Sequence, residues 1–196
     1  MLNTALAILH DEHRSLAAVI HGLRFLVRQA QQTGKTPDFK LLWAMLYYIE
    51  HFPAALHHPK EDAYLFARLR ERTSAADAVI AELQQQHRDD GALTASLQRA
   101  LGNCEAGTAD GLRQFSDALE RFAEATWKHM NLEESVLIPL AKQHLLGEDW
   151  IAIGEAFGEN GDPRFGEAQD EEFRDLFSRI VNLAPPPIGL GPAQDG

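Results

Sequence analysis

The sequence predicts an all-α protein: an up-down-up-down four-helix bundle over residues 1–146, followed by a short C-terminal helical extension within 147–196. Three observations predict it. Glycine and proline divide the first part of the chain into four blocks of about 30 residues, rich in Ala, Leu, Gln, Glu and Arg, which favour helix. Apolar residues recur in these blocks at steps of three and four, the spacing that holds one helix face to a bundle axis. Little alternates with period two, so strands are not expected. Short connections between long helices make consecutive helices antiparallel neighbours.

The first block, 3–33, carries Leu6, Leu9, His13, Leu16, Ile20, Leu23 and Val27 on one stripe and stops before Gly34 and Pro37. The second, 38–72, contains Pro53 and Pro59. Proline lacks the backbone donor and its ring strikes the carbonyl four residues back, so a disturbance or kink is expected there. His57 and Glu61, four apart, still share a face. Thr73-Ser74 offers an N-cap for the third block, 75–102, in which Ile80, Leu83, His87, Thr94, Leu97 and Leu101 form a looser stripe closed by Gly102-Asn103. Thr108 opens the fourth block, which runs to about Leu146 with Leu112, Phe115, Leu119, Phe122, Thr126, His129, Glu133, Val136 and Leu140 in strict rhythm. In the extension, Asp170 to Val181 reads as a short amphipathic helix with Phe173, Leu176, Phe177 and Ile180 on one side, expected to dock on the bundle or on a second subunit in a homodimer. Pro185-Pro186-Pro187 and the Gly/Pro-rich end read as an extended tail.

Charge and composition exclude several classes. The net charge is −11, and residues 146–196 hold 11 acids against 3 arginines. Neither part presents the basic face that a phosphate backbone requires, so no nucleic-acid partner is expected. No apolar run approaches the roughly 18–20 residues of a membrane span, and the first residues lack the basic start of a signal peptide. The single cysteine, Cys104, cannot form an internal disulfide, which makes a cytoplasmic location the expectation.

The polar residues inside the stripes point to chemistry. Imidazole and carboxylate in an apolar seam cost several kcal/mol unless they find partners. Here the interruptions are His13, His57 with Glu61, His87, and His129 with Glu133, at least one from each helix. Counted along helices that alternate in direction, all six fall within about two turns of one depth. One such histidine is ordinarily a hydrogen-bonded core residue, and one His-x-x-x-Glu pair can be a buried hydrogen bond. Two pairs and two further histidines in one layer suit two adjacent metal ions, with imidazoles as terminal ligands and carboxylates able to bridge. A set without thiolate favours iron or manganese over structural zinc. His10, His21, His51 and His144 lack this combination and are expected at the surface or behind the ligands. Tyr47, Glu50 and Tyr64 are candidates to support the ligands from behind.

The stretches His10-Asp11-Glu12-His13-Arg14, His57-His58-Pro59-Lys60-Glu61-Asp62, Gln86-His87-Arg88 and His129-Met130-Asn131-Leu132-Glu133-Glu134 resemble the hemerythrin-like, HHE cation-binding family, in order and spacing, over roughly residues 1–145. The resemblance implies a non-haem di-iron centre: two iron ions, with an oxygen or hydroxide bridge, held in a four-helix bundle by His13, His57, His87, His129, Glu61 and Glu133. Some relatives carry a coordinating side chain at the position of His58, which adds it to the set against the alternative of an interfacial histidine. Oxygen-carrying members resemble this pattern but place a second histidine where this chain has Gly91. They also place an aspartate five residues after the last histidine, where this chain has Glu133 at four and Glu134 at five. An imidazole missing at Gly91 leaves one iron with an open position.

The expected function is therefore binding or sensing of dioxygen, nitric oxide or peroxide at an open iron position. The alternative is a di-iron enzyme that consumes peroxide or acts as an oxidase. No substrate pocket beyond the metals is evident in the sequence, which places the binding reading first.

Overall fold

The computed structural model describes residues 2–158. These residues are all-helical, with no strand among them, and none of their helices is long and apolar enough to cross a membrane. Helix α1 spans Leu2–Thr33. Helix α2 (39–72) is composite: α over Phe39–Ile49, π over Glu50–His57, α over His58–Lys60, π over Glu61–Phe66 and α again over Ala67–Arg72. A 3₁₀ turn at Ser74–Ala76 leads into α3, Asp77–Glu105. Helix α4 (111–144) joins α over Gly111–Leu132, π over Glu133–Leu137 and α over Ile138–His144. Helix α5 spans Gly147–Gly158.

The ends follow local chemistry. Asp38 caps α2 by accepting from the Leu41 N–H at 3.1 Å, and the Thr73 hydroxyl accepts from Ala75 N–H at 3.1 Å. Gly34, at φ +65°, closes α1 with its N–H donated to Ala30 O. The turn between α3 and α4 needs Gly111, because a Cβ there would lie 2.8 Å from the Cys104 Cα.

Two apolar clusters form the core. One gathers Leu16–Val27 positions of α1, Leu41–Phe52 positions of α2, Leu97 and Leu101 of α3, and Phe115–Met130 positions of α4. The other gathers Ala5, Leu6 and Leu9 of α1 with Leu65, Phe66 and Leu69, then Ala76, Ile80 and Leu83, then Leu137, Ile138 and Ala141. Trp150, Ile153 and Phe157 of α5 complete it. Along α1, α2 and α3 the layer of His13, His57, Glu61 and His87 falls between the residues given to the two clusters.

The disturbance expected at Pro53 and Pro59 takes the form of a widening of the helix into π turns, and two other expectations need correction. Opening the turn gives the carbonyl four residues before a proline room beside the ring. The same device recurs in α4, where the π stretch precedes Pro139. It also moves the buried stripe, because a π turn holds one extra residue. Val136, expected inside, is 39% exposed, while Leu137 and Ala141 are fully buried. Finally, α5 begins directly after α4 and packs along α1, with Gly154 close enough that a Cβ would sit 3.7 Å from that of Ala5. The extension thus contains a helix at 147–158 that the sequence reading did not place. The stripe at Phe173, Leu176, Phe177 and Ile180 lies outside the described residues.

Candidate metal centre

Four imidazoles from the four long helices meet two carboxylates at the centre of this layer. Glu61 directs Oε1 to His57 Nε2 at 3.1 Å and Oε2 to His87 Nε2 at 3.3 Å. Glu133 directs Oε2 to His13 Nε2 at 3.1 Å and Oε1 to His129 Nε2 at 3.4 Å. Each carboxylate therefore spans two histidines. Glu61 and Glu133 each open a π stretch, and such turns recur where a helix re-aims a side chain at a functional site.

Each histidine is held from behind through its other nitrogen. His13 Nδ1 pairs with Glu134 at 3.0 Å, His57 Nδ1 with Glu12 at 2.5 Å, His87 Nδ1 with Asp62 at 3.2 Å and His129 Nδ1 with Gln86 at 3.0 Å. A hydrogen bond at Nδ1 fixes the tautomer and leaves the Nε2 lone pair facing inward, the arrangement used by metal-ligating histidines. Glu12, Asp62, Gln86 and Glu134 are each the immediate neighbour of a ligand-type residue, and that adjacency is the signal that could have found them. Tyr47, Glu50 and Tyr64 do not serve in this way. Tyr47 stacks on His51 at the surface, Glu50 accepts from Gln98, and Tyr64 is exposed. The π turns rotate these positions away from the phase an α-helix would give them.

The seven sequence-predicted residues fall into two overlapping groups. His13, His57, Glu61 and Glu133 form one, and His58, Glu61, His87 and His129 form the other, with donor atoms in each within 4.8 Å of one another. His58 stacks on His87 with ring centroids 4.2 Å apart and meets His129 edge-on at 5.2 Å. His10, His21, His51 and His144 belong to neither group.

Gly91 is not an inward position. It is exposed, with nothing within 4 Å of where a Cβ would stand. The inward stripe of α3 passes from half-buried His87 through half-buried Asp90 to buried Thr94, three and then four residues on, so Gly91 lies beside it. The third imidazole of the second group comes from α2 as His58, not from α3.

The electrostatics show what the cluster lacks. The Nε2 atoms of His13, His57, His87 and His129 are buried without a hydrogen-bond partner, as are Glu61 Oε2 and both oxygens of Glu133. Burial lowers the pKa of the His13 imidazole, but the facing Glu133 carboxylate and the hydrogen bond to Glu134 outweigh it and bring the value to about 9. His57 is raised well above its ordinary value because Glu61 and Glu12 outweigh burial, and His87 is raised by Glu61 and Asp62 in the same way. Burial holds His129 below its ordinary value and His58 far below. Glu61 is held well below the carboxylate range, against the effect of its burial, by His57 and His87. Protons shared between the imidazoles and carboxylates can reconcile these groups in pairs. A cation placed among the inward lone pairs would serve all of them at once.

A pocket of about 210 Å³ reaches the second group. Exposed Asp89 and Lys128, buried Ile49, Phe122 and His129, and half-buried His58 line it together. The other side is closed: Phe157 of α5 sets its ring edge-on to His57 at 5.6 Å, and Lys60 Nζ donates to Ala156 O. Arg72 holds buried Asp149 of α5 through two hydrogen bonds of 2.9 and 3.0 Å.

No curated protein and no solved structure matches the chain. A family model described as the hemerythrin HHE cation binding domain matches residues 4–141, and the chain belongs to that family.

Proposed function

We propose that this protein is a di-iron member of the family, an up-down-up-down bundle that binds or senses dioxygen, nitric oxide or peroxide. The observation that carries this is the set of partnerless Nε2 and carboxylate atoms facing one another in a buried layer. The donor set fits the group. His13 and His57 would hold one ion and His58, His87 and His129 the other, with Glu61 and Glu133 shared between them. Behind them stand Glu12, Asp62 and Glu134, which makes five carboxylates in the centre, enough to offset most of the charge of two di- or trivalent cations. Imidazole and carboxylate without thiolate suit iron. When bound, such a pair of ions exchanges electrons with, and offers open coordination positions to, a small oxidising ligand.

The chain's own residues divide the remaining tasks. Glu12, Asp62, Gln86 and Glu134 orient the imidazoles, Phe157 and Lys60 close the His57 side against water, and the pocket admits ligand at His58 and His129. The open position is expected on the ion that the pocket reaches, beside His58 and His129, in place of the one expected beside Gly91. The protein is expected to contain two iron ions per chain and, once reduced, to oxidise quickly in air. His144→Ala should leave metal content unchanged. One ion per chain, unaffected by Glu133→Ala, would overturn the proposal. The enzyme reading is favoured by one observation, the size of the pocket, which exceeds what a diatomic ligand needs. Many turnovers of peroxide per iron pair, abolished by His87→Ala, would put it first.

A further inference from the structure

The pocket between α3 and α4 has more room and more chemistry than access for a diatomic molecule demands. A water molecule takes about 30 Å³ of liquid, and an apolar cavity of about 150 Å³ holds benzene. At about 210 Å³ this pocket fits a ring with a short substituent. Its walls are Leu16, Ile49, Pro53, Leu93, Phe122 and Ala125.

Its polar groups are unbalanced in sign. Asp89 and Asp90 border it, and the one cationic side chain there, Lys128, is already paired with Glu82 at 2.8 Å. Gln86 is also committed, its amide oxygen to His129 and its amide nitrogen to Glu82. Asp90 differs from its neighbours. No hydrogen bond or ion pair among the described residues engages its carboxyl, and burial pushes its pKa up to about 6 although His87 pulls the other way. A half-buried carboxyl beside an apolar wall, engaged by no hydrogen bond or ion pair among the described residues, is complementary to a cation supplied by a ligand.

We infer that this pocket binds a small organic ammonium, an apolar ring or chain carrying one amine, with its body against Leu93, Phe122 and Ala125 and its charged head on Asp90. This deepens the metal-centre reading, on which it rests only for what lies in the pocket beside His58 and His129. It adds a class of organic ligand that the exchange of a diatomic does not involve.

The test uses the iron-loaded protein at a pH of about 7.5, where a carboxyl of this kind is ionised. Benzylamine, benzyl alcohol and benzoate are titrated by calorimetry, and iron per chain is measured in each sample. Benzylamine should bind most tightly and benzoate least. Asp90→Asn should weaken benzylamine by about tenfold or more, the effect of losing a charge-assisted hydrogen bond, and leave benzyl alcohol unchanged. Ala125→Phe, which fills the pocket from a half-buried position, should remove binding of both. Three results would overturn the inference while iron content stays normal: no benzylamine binding, benzoate binding more tightly than benzylamine, or affinity for benzylamine unaffected by Asp90→Asn. The last would mean that the amine coordinates metal directly. Absence of iron, by contrast, refutes the metal-centre reading, and amine binding that persists in such a sample still supports the pocket.

Discussion

The two His-x-x-x-Glu pairs have the same spacing, each ending in a glutamate that opens a π turn, yet their surroundings differ. His57 is backed by a buried carboxylate, Glu12, and covered by Phe157 of α5. His129 is backed by a neutral amide, Gln86, and borders the pocket. Burial depresses both imidazoles, but at His57 Glu61 and Glu12 reverse the direction, while at His129 burial prevails. A duplicated motif therefore does not make two equivalent ligands. One half is sealed and strongly electron-rich, the other accessible and more weakly supported.

Breaking the shared element should have the largest effect. Both carboxylates reach histidines of the two groups, but Glu61 alone lies within both donor groups while Glu133 lies within one, so Glu61→Ala is expected to lose both ions and Glu133→Ala to retain part of the metal. Elemental analysis of the purified variants checks this, and two ions retained by Glu61→Ala would show that the carboxylate is not shared. Next comes the seal. Phe157 is 1% exposed, and Phe157→Ala should cost about 3–5 kcal/mol in denaturant melts. It should also hasten removal of metal by a chelator. Truncation before α5 should do the same, against the simpler expectation that the extension is dispensable for the site.

The backing groups sharpen the comparison further. Removing a side chain that orients a metal-bound histidine typically costs about 10–100-fold in metal affinity. Glu12→Ala should lie at the upper end of that range and Gln86→Ala at the lower, as read by competition with a chelator; the reverse order would mean that the charge behind His57 is not what distinguishes the halves. The seal should also respond to acid. Hydrogen bonds from Arg72 lower the Asp149 carboxyl below its ordinary value. A depressed folded-state pKa means stabilisation that is complete above the unfolded value of about 4 and is lost as pH falls through the folded one. Docking of α5 should therefore weaken in that acidic window, followed by Trp150 fluorescence in a background with Trp43→Phe and Trp127→Phe, and Asp149→Asn should remove this component. The smallest effect is expected at Gly91. Because the position faces open space, Gly91→Ala should stabilise α3 by up to about 1 kcal/mol and leave oxidation in air unchanged; slower oxidation in Gly91→His would return Gly91 to the metal site.

Much of this was legible in the chain. The stripe of α1 from Leu6 to Val27 is buried throughout, and the ligand-type residues converge as their depths along alternating helices require. What escaped has identifiable physical causes. A constant step of three and four cannot anticipate a π turn, which adds a residue and shifts everything after it, so the rhythm points to Val136 where the fold buries Leu137. Asp90 fills the gap between His87 and Thr94 in the α3 stripe, but a carboxylate does not register in a search for apolar positions. In α5 the pattern of Trp150, Ile153 and Phe157 is helical, yet Gly147, Gly154 and Gly158 around it mimic a loop.

The π turn at Glu133–Leu137 also works as a gear. An α-helix turns by about 100° per residue, so relaxing that single extra residue into regular α geometry would rotate the rest of α4 by about that angle. Leu137, Ile138 and Ala141 would swing out of the cluster they share with Trp150, Ile153 and Phe157. The glutamate facing the histidines and the floor beneath α5 are thus two teeth on one shaft, and whatever tightens its grip on Glu133 also holds the fifth helix in place.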